Sequence, residues 1–127
     1  MADLLVDIKT FLTGKLAPTV ISISRDVVPK DGDPVIILQE YIGSPAVLGD
    51  TYAHRSVQIL VRSTNATTAK GHAWSIYKWL QTANLRVDFT ASRFGLVYLR
   101  QPPFKIKVDE AGRIFYGFNM GVTTAND

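Results

Sequence analysis

The segment His54-Arg55-Ser56-Val57-Gln58-Ile59-Leu60-Val61-Arg62 constrains this chain more than any other. Val57, Ile59 and Val61 alternate with Ser56, Gln58 and Arg62, the two-residue period of a strand that buries one face. The strand runs directly into a helical pattern that begins near Ala66. Further along, Gln101-Pro102-Pro103-Phe104 leads through Val108 into Asp109-Glu110-Ala111-Gly112 and on to Arg113-Ile114-Phe115-Tyr116. Acidic residues followed by a glycine mark a tight reversal, and Ile114, Tyr116, Phe118, Met120 and Val122 alternate beyond it. A strand, a crossing helix and a hairpin are the frame around which the rest must pack.

In order, the chain reads as helix, three strands, helix, three strands. Leu4, Leu5, Ile8, Phe11 and Leu12 have the spacing of an amphipathic helix. Asp3 and Asp7 suit its first half, Lys9 and Lys15 its second, and Gly14 and Pro18 bracket its end. Thr19 to Ser24 reads as a short strand and Val28 to Pro34 as an exposed loop. Val35 to Ile42 is apolar on both faces at first, which suits a strand inside the sheet. Gly43 to Ala53 is a long loop that holds Val47 and Leu48 among turn-forming residues.

The second helix is expected over Ala66 to Thr82, capped by Thr64 or Asn65. Its inner stripe is Ala69, Ala73, Ile76 and Leu80, with Trp74, Tyr77 and Trp79 around it, and Gly71 is expected to allow close approach to the sheet. The remaining strands are Arg86 to Thr90, Gly95 to Arg100 with a continuation to Val108, and Arg113 to Thr124. Three strands have one apolar face and one polar or small face. Two amphipathic helices can cover one side of such a sheet. The fold class is therefore α+β, two-layer, with an antiparallel-rich mixed sheet and two helices packed on one face. The other face is left to water or to a neighbouring subunit.

A chain of 127 residues is a single domain, 1–127, long enough to bury roughly two-thirds of its unfolded surface. With 46% hydrophobic and 20% charged residues it is globular. No apolar run approaches the length of a membrane span. Met1-Ala2-Asp3-Leu4-Leu5 lacks the basic start of a secretory signal. The chain has no cysteine, so disulfides and thiolate metal sites are excluded.

Chemistry-bearing motifs are sparse. There is no glycine-rich phosphate loop, and His54 and His72 lie on different elements with no carboxylate at metal-ligand spacing. Asp50, His54 and Ser56 suggest a triad, but neighbours along one strand rarely converge as orienter, base and nucleophile. Glu40, Asp88, Asp109 and Glu110 could supply a carboxylate pair, although the last two belong to a turn. No catalytic, cofactor-binding or metal site is expected, and no cofactor.

The net charge of +3 raises a nucleic-acid reading. The basic residues are scattered among acids, as at Arg25-Asp26 and Lys30-Asp31, with mild enrichment only from Arg86 to Arg113. Phosphate-binding surfaces gather Lys and Arg on one face. A nucleic-acid-binding accessory domain stands as the alternative function.

The pieces VQILVRS, ATTAKGHAWSIYKWL and QPPFKIKVDEAGRIFYGFN, in this order and spacing, resemble the tail terminator or minor capsid proteins of long-tailed bacteriophages. The resemblance runs from about Val35 to Val122 and is loose over the first fifty residues. It implies a structural virion protein and no enzyme. Such a protein forms a ring, typically hexameric, on the last disc of tail-tube subunits, stops their polymerisation and offers its far side to the head connector. The partners implied are further copies of the chain, the tail-tube protein and the head–tail connector protein, with no membrane and with DNA only as cargo passing through the ring. The location implied is the head-proximal end of the virion tail, after assembly in the host cytoplasm. The matching positions are Gln58, Arg62, Pro102, Pro103, Asp109, Gly112 and Asn119. Gln58 and Arg62 are expected on the open sheet face, and Pro102 and Pro103 to stop strand pairing. Val47, Leu48, Gln58, Leu60, Arg62, Asp109 and Arg113 are the expected contacts with neighbours or partners.

Overall fold

Among the described residues, the alternating strand and the helix that follows it settle into a mixed, curled sheet of seven strands with two helices. The computed structural model describes residues 4–17, 19, 21–41, 52–82, 86–90 and 93–125. The elements are α1 (Leu4–Leu16), β1 (Ser22–Arg25), β2 (Val35–Tyr41), β3 (Tyr52–Ser63), α2 (Ala66–Thr82), β4 (Arg86–Asp88), β5 (Phe94–Leu99), β6 (Phe104–Val108) and β7 (Ile114–Ala125). The sheet order is β1-β2-β3-β7-β5-β4, and β6 also pairs with β7. Among the described residues only the β1–β2 pair is parallel. This is the expected α+β class.

Both helices lie on the same face. Leu4, Leu5, Ile8 and Leu12 of α1 share one buried cluster with Ala69, Ala73, Ile76 and Leu80 of α2. The sheet supplies Ile36 and Leu38, the alternating Val57, Ile59 and Val61, and Phe118, Met120 and Val122. Asn65 is the residue that starts α2: its Oδ1 accepts from the N–H groups of Thr67 at 2.9 Å and Thr68 at 3.2 Å. Tyr77 meets Phe118 edge-on at 5.4 Å, and Trp74 meets Tyr77 at 5.6 Å, so these aromatics join the core side of α2. Gly71 has no such role. It is exposed, and a Cβ there would meet nothing within 4 Å.

Asp7 does more than complement the α1 dipole. It is buried and receives two bonds of 2.8 Å from Arg93, which ties the helix to the start of β5. A fork-to-carboxylate pair of this kind fixes orientation as well as supplying energy.

The second group of three expected strands resolves into four. β5 and β6 both lie along the same edge of β7, antiparallel to it, one after the other. Between them stand Gln101, Pro102 and Pro103. A proline has no N–H to give a neighbour, so the ladder breaks where the two prolines stand, as their sequence suggests. β7 pairs with β3 along all twelve of its residues, from Tyr52↔Ala125 to Ser63↔Ile114. At Gly117 the two strands come so close that a Cβ would sit 2.2 Å from the carbonyl oxygen of Ile59.

Candidate assembly surfaces

The face of the sheet away from the helices carries Val35, Ile37 and Gln39 on β2, and Ser56, Gln58, Leu60 and Arg62 on β3. Phe115, Gly117, Asn119, Gly121 and Thr123 follow on β7, opposite those β3 positions. The sequence expectation leaves this whole face open. Half of it is covered instead.

The covered half centres on Arg62, which is fully buried. Its Nε donates to Asp33 Oδ1 at 2.6 Å and its Nη1 to the carbonyl oxygen of Pro29. Its guanidinium lies 5.9 Å from the centre of the Phe115 ring. Val35, Ile37, Leu60 and Phe115 form a second buried cluster here, with Ile106 of β6 packed on it. The segment before β2 is thus pulled onto the sheet. Arg62 lies on the expected face of β3, but its charge is used inside the subunit and is not presented to a neighbour. Leu60 is also buried, at 6% exposure.

Asp33 is held from a second side by Arg113, at 3.6 Å. Arg113 also donates to the carbonyl oxygen of Lys30 and, at 2.8 Å, to Asp109 Oδ2. Asp109 Oδ1 accepts from the N–H groups of Ala111 at 3.0 Å and Arg113 at 2.9 Å. Burial works to raise the Asp109 carboxyl. The Arg113 N–H, the Arg113 guanidinium and the Ala111 N–H outweigh it and hold the group below its ordinary value. The same pair raises the Arg113 guanidinium, first through its bond to Asp109. The Gly112 N–H closes the turn onto the Asp109 carbonyl at 3.0 Å, and Gly112 has φ +77°. Asp109 and Arg113 therefore build the hairpin and fasten it to the loop before β2.

The open half carries Gln39, Gln58 and Asn119 in one shallow cleft. A second cleft holds His54, Ser56, Tyr98, Arg100, Gly121 and Thr123. In it, Arg100 extends over Gly121, where a Cβ would meet its Nη2 at 3.3 Å. Its Nη2 donates to Ser56 Oγ at 3.1 Å and its Nη1 to Tyr41 OH at 3.2 Å. One side chain thus spans from the end of β5 across β7 and β3 to β2. Arg100 was not among the expected site residues. Its partners lie far apart in the chain, and only Gly121, the small residue that it crosses, could have hinted at it.

The edges are a further surface. Among the described residues β6 pairs only with β7, and β1 only with β2. Phe104 and Val108 of β6 are 43% and 49% exposed, with Lys105 and Lys107 between them. Lysines on an open edge discourage indiscriminate strand pairing. Val47 and Leu48 lie outside the described residues.

No catalytic arrangement emerges among the described residues. His54 Nδ1 is 2.9 Å from Thr123 Oγ1, whereas Ser56 accepts from Arg100. Asp50 lies outside the described residues. Glu40, Asp88 and Asp109 pair separately with Arg55, Arg86 and Arg113. Among the described residues no three His, Asp or Glu side chains are grouped to hold a metal ion, and no helix is long and apolar enough to cross a membrane. Arg55, Arg62, Arg86, Arg93 and Arg113 all face carboxylates within the subunit, which leaves little of a basic face for phosphates.

The described residues thus form a small α+β fold with open strand edges, a half-open sheet face and arginines mostly engaged in internal ion pairs. The chain belongs to the bacteriophage tail terminator protein family, whose model matches residues 5–126. It is a structural protein of the phage virion tail. No protein of curated function matches it significantly in sequence.

Proposed function

We propose that this protein forms a hexameric ring that seats on the end of the tail tube, stops its polymerisation and presents its far side to the head connector. The observation that carries this reading is the family match over residues 5–126, nearly the whole chain. The open edges of β1 and β6 and the half-open sheet face agree with it, because a ring needs two different surfaces on each subunit, each fitting the other on its neighbour. The ring would sit at the head-proximal end of the tail, be assembled in the host cytoplasm, and let DNA pass through it as cargo.

Growing tail tubes in the presence and absence of the purified protein tests this. Electron microscopy should show ring-shaped density at one tube end and no further lengthening after addition. Tubes that lengthen unchanged would overturn the reading.

A further inference from the structure

We propose that Arg100 and the hydroxyl groups beneath it form a receptor for a carboxylate, and that the carboxylate is Glu110 of a neighbouring copy of this chain. The inference rests on the ring reading above and names the contact that would build the ring.

The receptor is held ready before any partner arrives. The Arg100 guanidinium is fixed by Ser56 Oγ at 3.1 Å and Tyr41 OH at 3.2 Å, both acting as acceptors. Each hydroxyl therefore keeps its own proton to donate. Among the described residues no carboxylate lies within ion-pairing distance of Arg100, in contrast to Arg55, Arg62, Arg86, Arg93 and Arg113. Tyr98 and Tyr41, 52% and 39% exposed, flank the site with apolar ring surface. A cation with its rotamer fixed and two hydroxyl donors at its side suits a carboxylate, and the binding entropy has largely been spent in advance.

The choice of occupant comes from charge and from the direction of β7. The hairpin tip, Asp109 to Gly112, carries two acids. Asp109 is held by Arg113. Glu110 is exposed, and its carboxylate makes no hydrogen bond or ion pair with any described residue. Lys105 and Lys107 are set back along β6, so Glu110 is the charge at the tip. The stretch of β7 from Ile114 to Gly121, at ~3.3 Å per residue, puts roughly 20 Å between tip and receptor. The pair cannot close within one subunit. Donor and acceptor at opposite ends of one strand make a head-to-tail contact, which closes into a ring when the rotation permits.

A charge exchange tests the pairing. Arg100→Glu and Glu110→Arg should each remain folded, because both side chains are exposed. Sedimentation velocity is run on wild type, on each variant and on an equimolar mixture, alone and with tail tubes. Each variant alone faces like charges and should need at least tenfold more protein to associate. In the mixture, the acidic receptor of the first variant meets the basic tip of the second, and the unaltered receptor of the second meets the unaltered tip of the first. Every contact then joins opposite charges, so the mixture should associate as wild type does. Arg100→Gln, which removes charge without reversing it, should fall between. Variants that associate like wild type, or a mixture that stays apart, overturn the pairing. If Arg100→Glu still forms rings on tubes, the pairing fails and the ring reading stands. If it forms rings alone but no longer caps tubes, the carboxylate belongs to the tube protein and the proposal is likewise overturned. A wild type that forms no ring even on tubes removes the ring reading itself.

Discussion

Arg62 donates from Nε to Oδ1 of Asp33 across 2.6 Å, and the arginine of that pair is sealed from solvent while the acid remains partly exposed. The inequality has an energetic consequence. Asp33 keeps a second cation, Arg113 at 3.6 Å, if Arg62 is lost. Among the described residues Arg62 has no other carboxylate, and its Nη2 has no hydrogen-bond partner.

Asp33→Ala should therefore destabilise the subunit by roughly 3 kcal/mol, the cost of leaving a buried charge uncompensated. Arg62→Met should cost less. Urea unfolding of both variants measures the difference, and a larger loss for Arg62→Met would show that the aromatic and backbone contacts of Arg62 outweigh its charge.

Gly112→Val should cost about 1 kcal/mol or more, although a side chain there would meet open space. The penalty is conformational, since φ +77° is strained for a β-branched residue. Gly112→Asn should lose distinctly less, because Asn visits this region more readily. Equal melting midpoints for the two variants would contradict the assignment.

Two glycine-to-alanine changes should have opposite signs. Gly117→Ala puts a methyl 2.2 Å from the Ile59 carbonyl oxygen and should cost roughly 2 kcal/mol or more. Gly71→Ala, exposed within α2 and clear of neighbours, should gain up to about 1 kcal/mol. Thermal melts of the pair settle whether β3 and β7 pack as tightly as described.

The hairpin should respond to acid later than ordinary carboxylates do. The Asp109 carboxyl is lowered below 3.8 in the folded state, so the unfolded chain takes up that proton first as pH falls. The stability that it lends is present above the unfolded value and is lost as pH drops through the lowered folded one. Carboxyl NMR should place the Asp109 midpoint below 3.8, and Asp109→Asn should remove that part of the acid dependence and speed amide exchange in the turn.

Periodicity made most of the frame legible. Val57, Ile59 and Val61 pointed to the helix-covered face, and Ala69, Ala73, Ile76 and Leu80 to the face of α2 that meets it. Gly112 announced its turn because an acid-rich run ending in glycine leaves the backbone few choices. What remained hidden was long-range pairing between polar groups. Arg62 on a strand face looks the same in sequence whether a loop covers it or water does. Its burial depends on Asp33 and Pro29 folding over from the far side of β2. Arg100 was hidden for the same reason, being cradled by Ser56 and Tyr41 from other strands. Pattern reports which face a residue occupies. It does not report what another segment lays upon it.

β7 joins two halves of the sheet that otherwise do not pair: β1, β2 and β3 on one side, β4, β5 and β6 on the other. Tyr41 and Ser56 belong to the first half, and Arg100 follows β5 in the second. On a ribosome, the residues of β7 emerge after all six other strands. Until they are inserted, a nascent chain has neither a finished core nor an assembled Arg100 cleft. On the pairing proposed above, competence to meet a neighbour is thereby timed to the completion of the chain, so unfinished chains would have no complete cleft to offer a growing assembly.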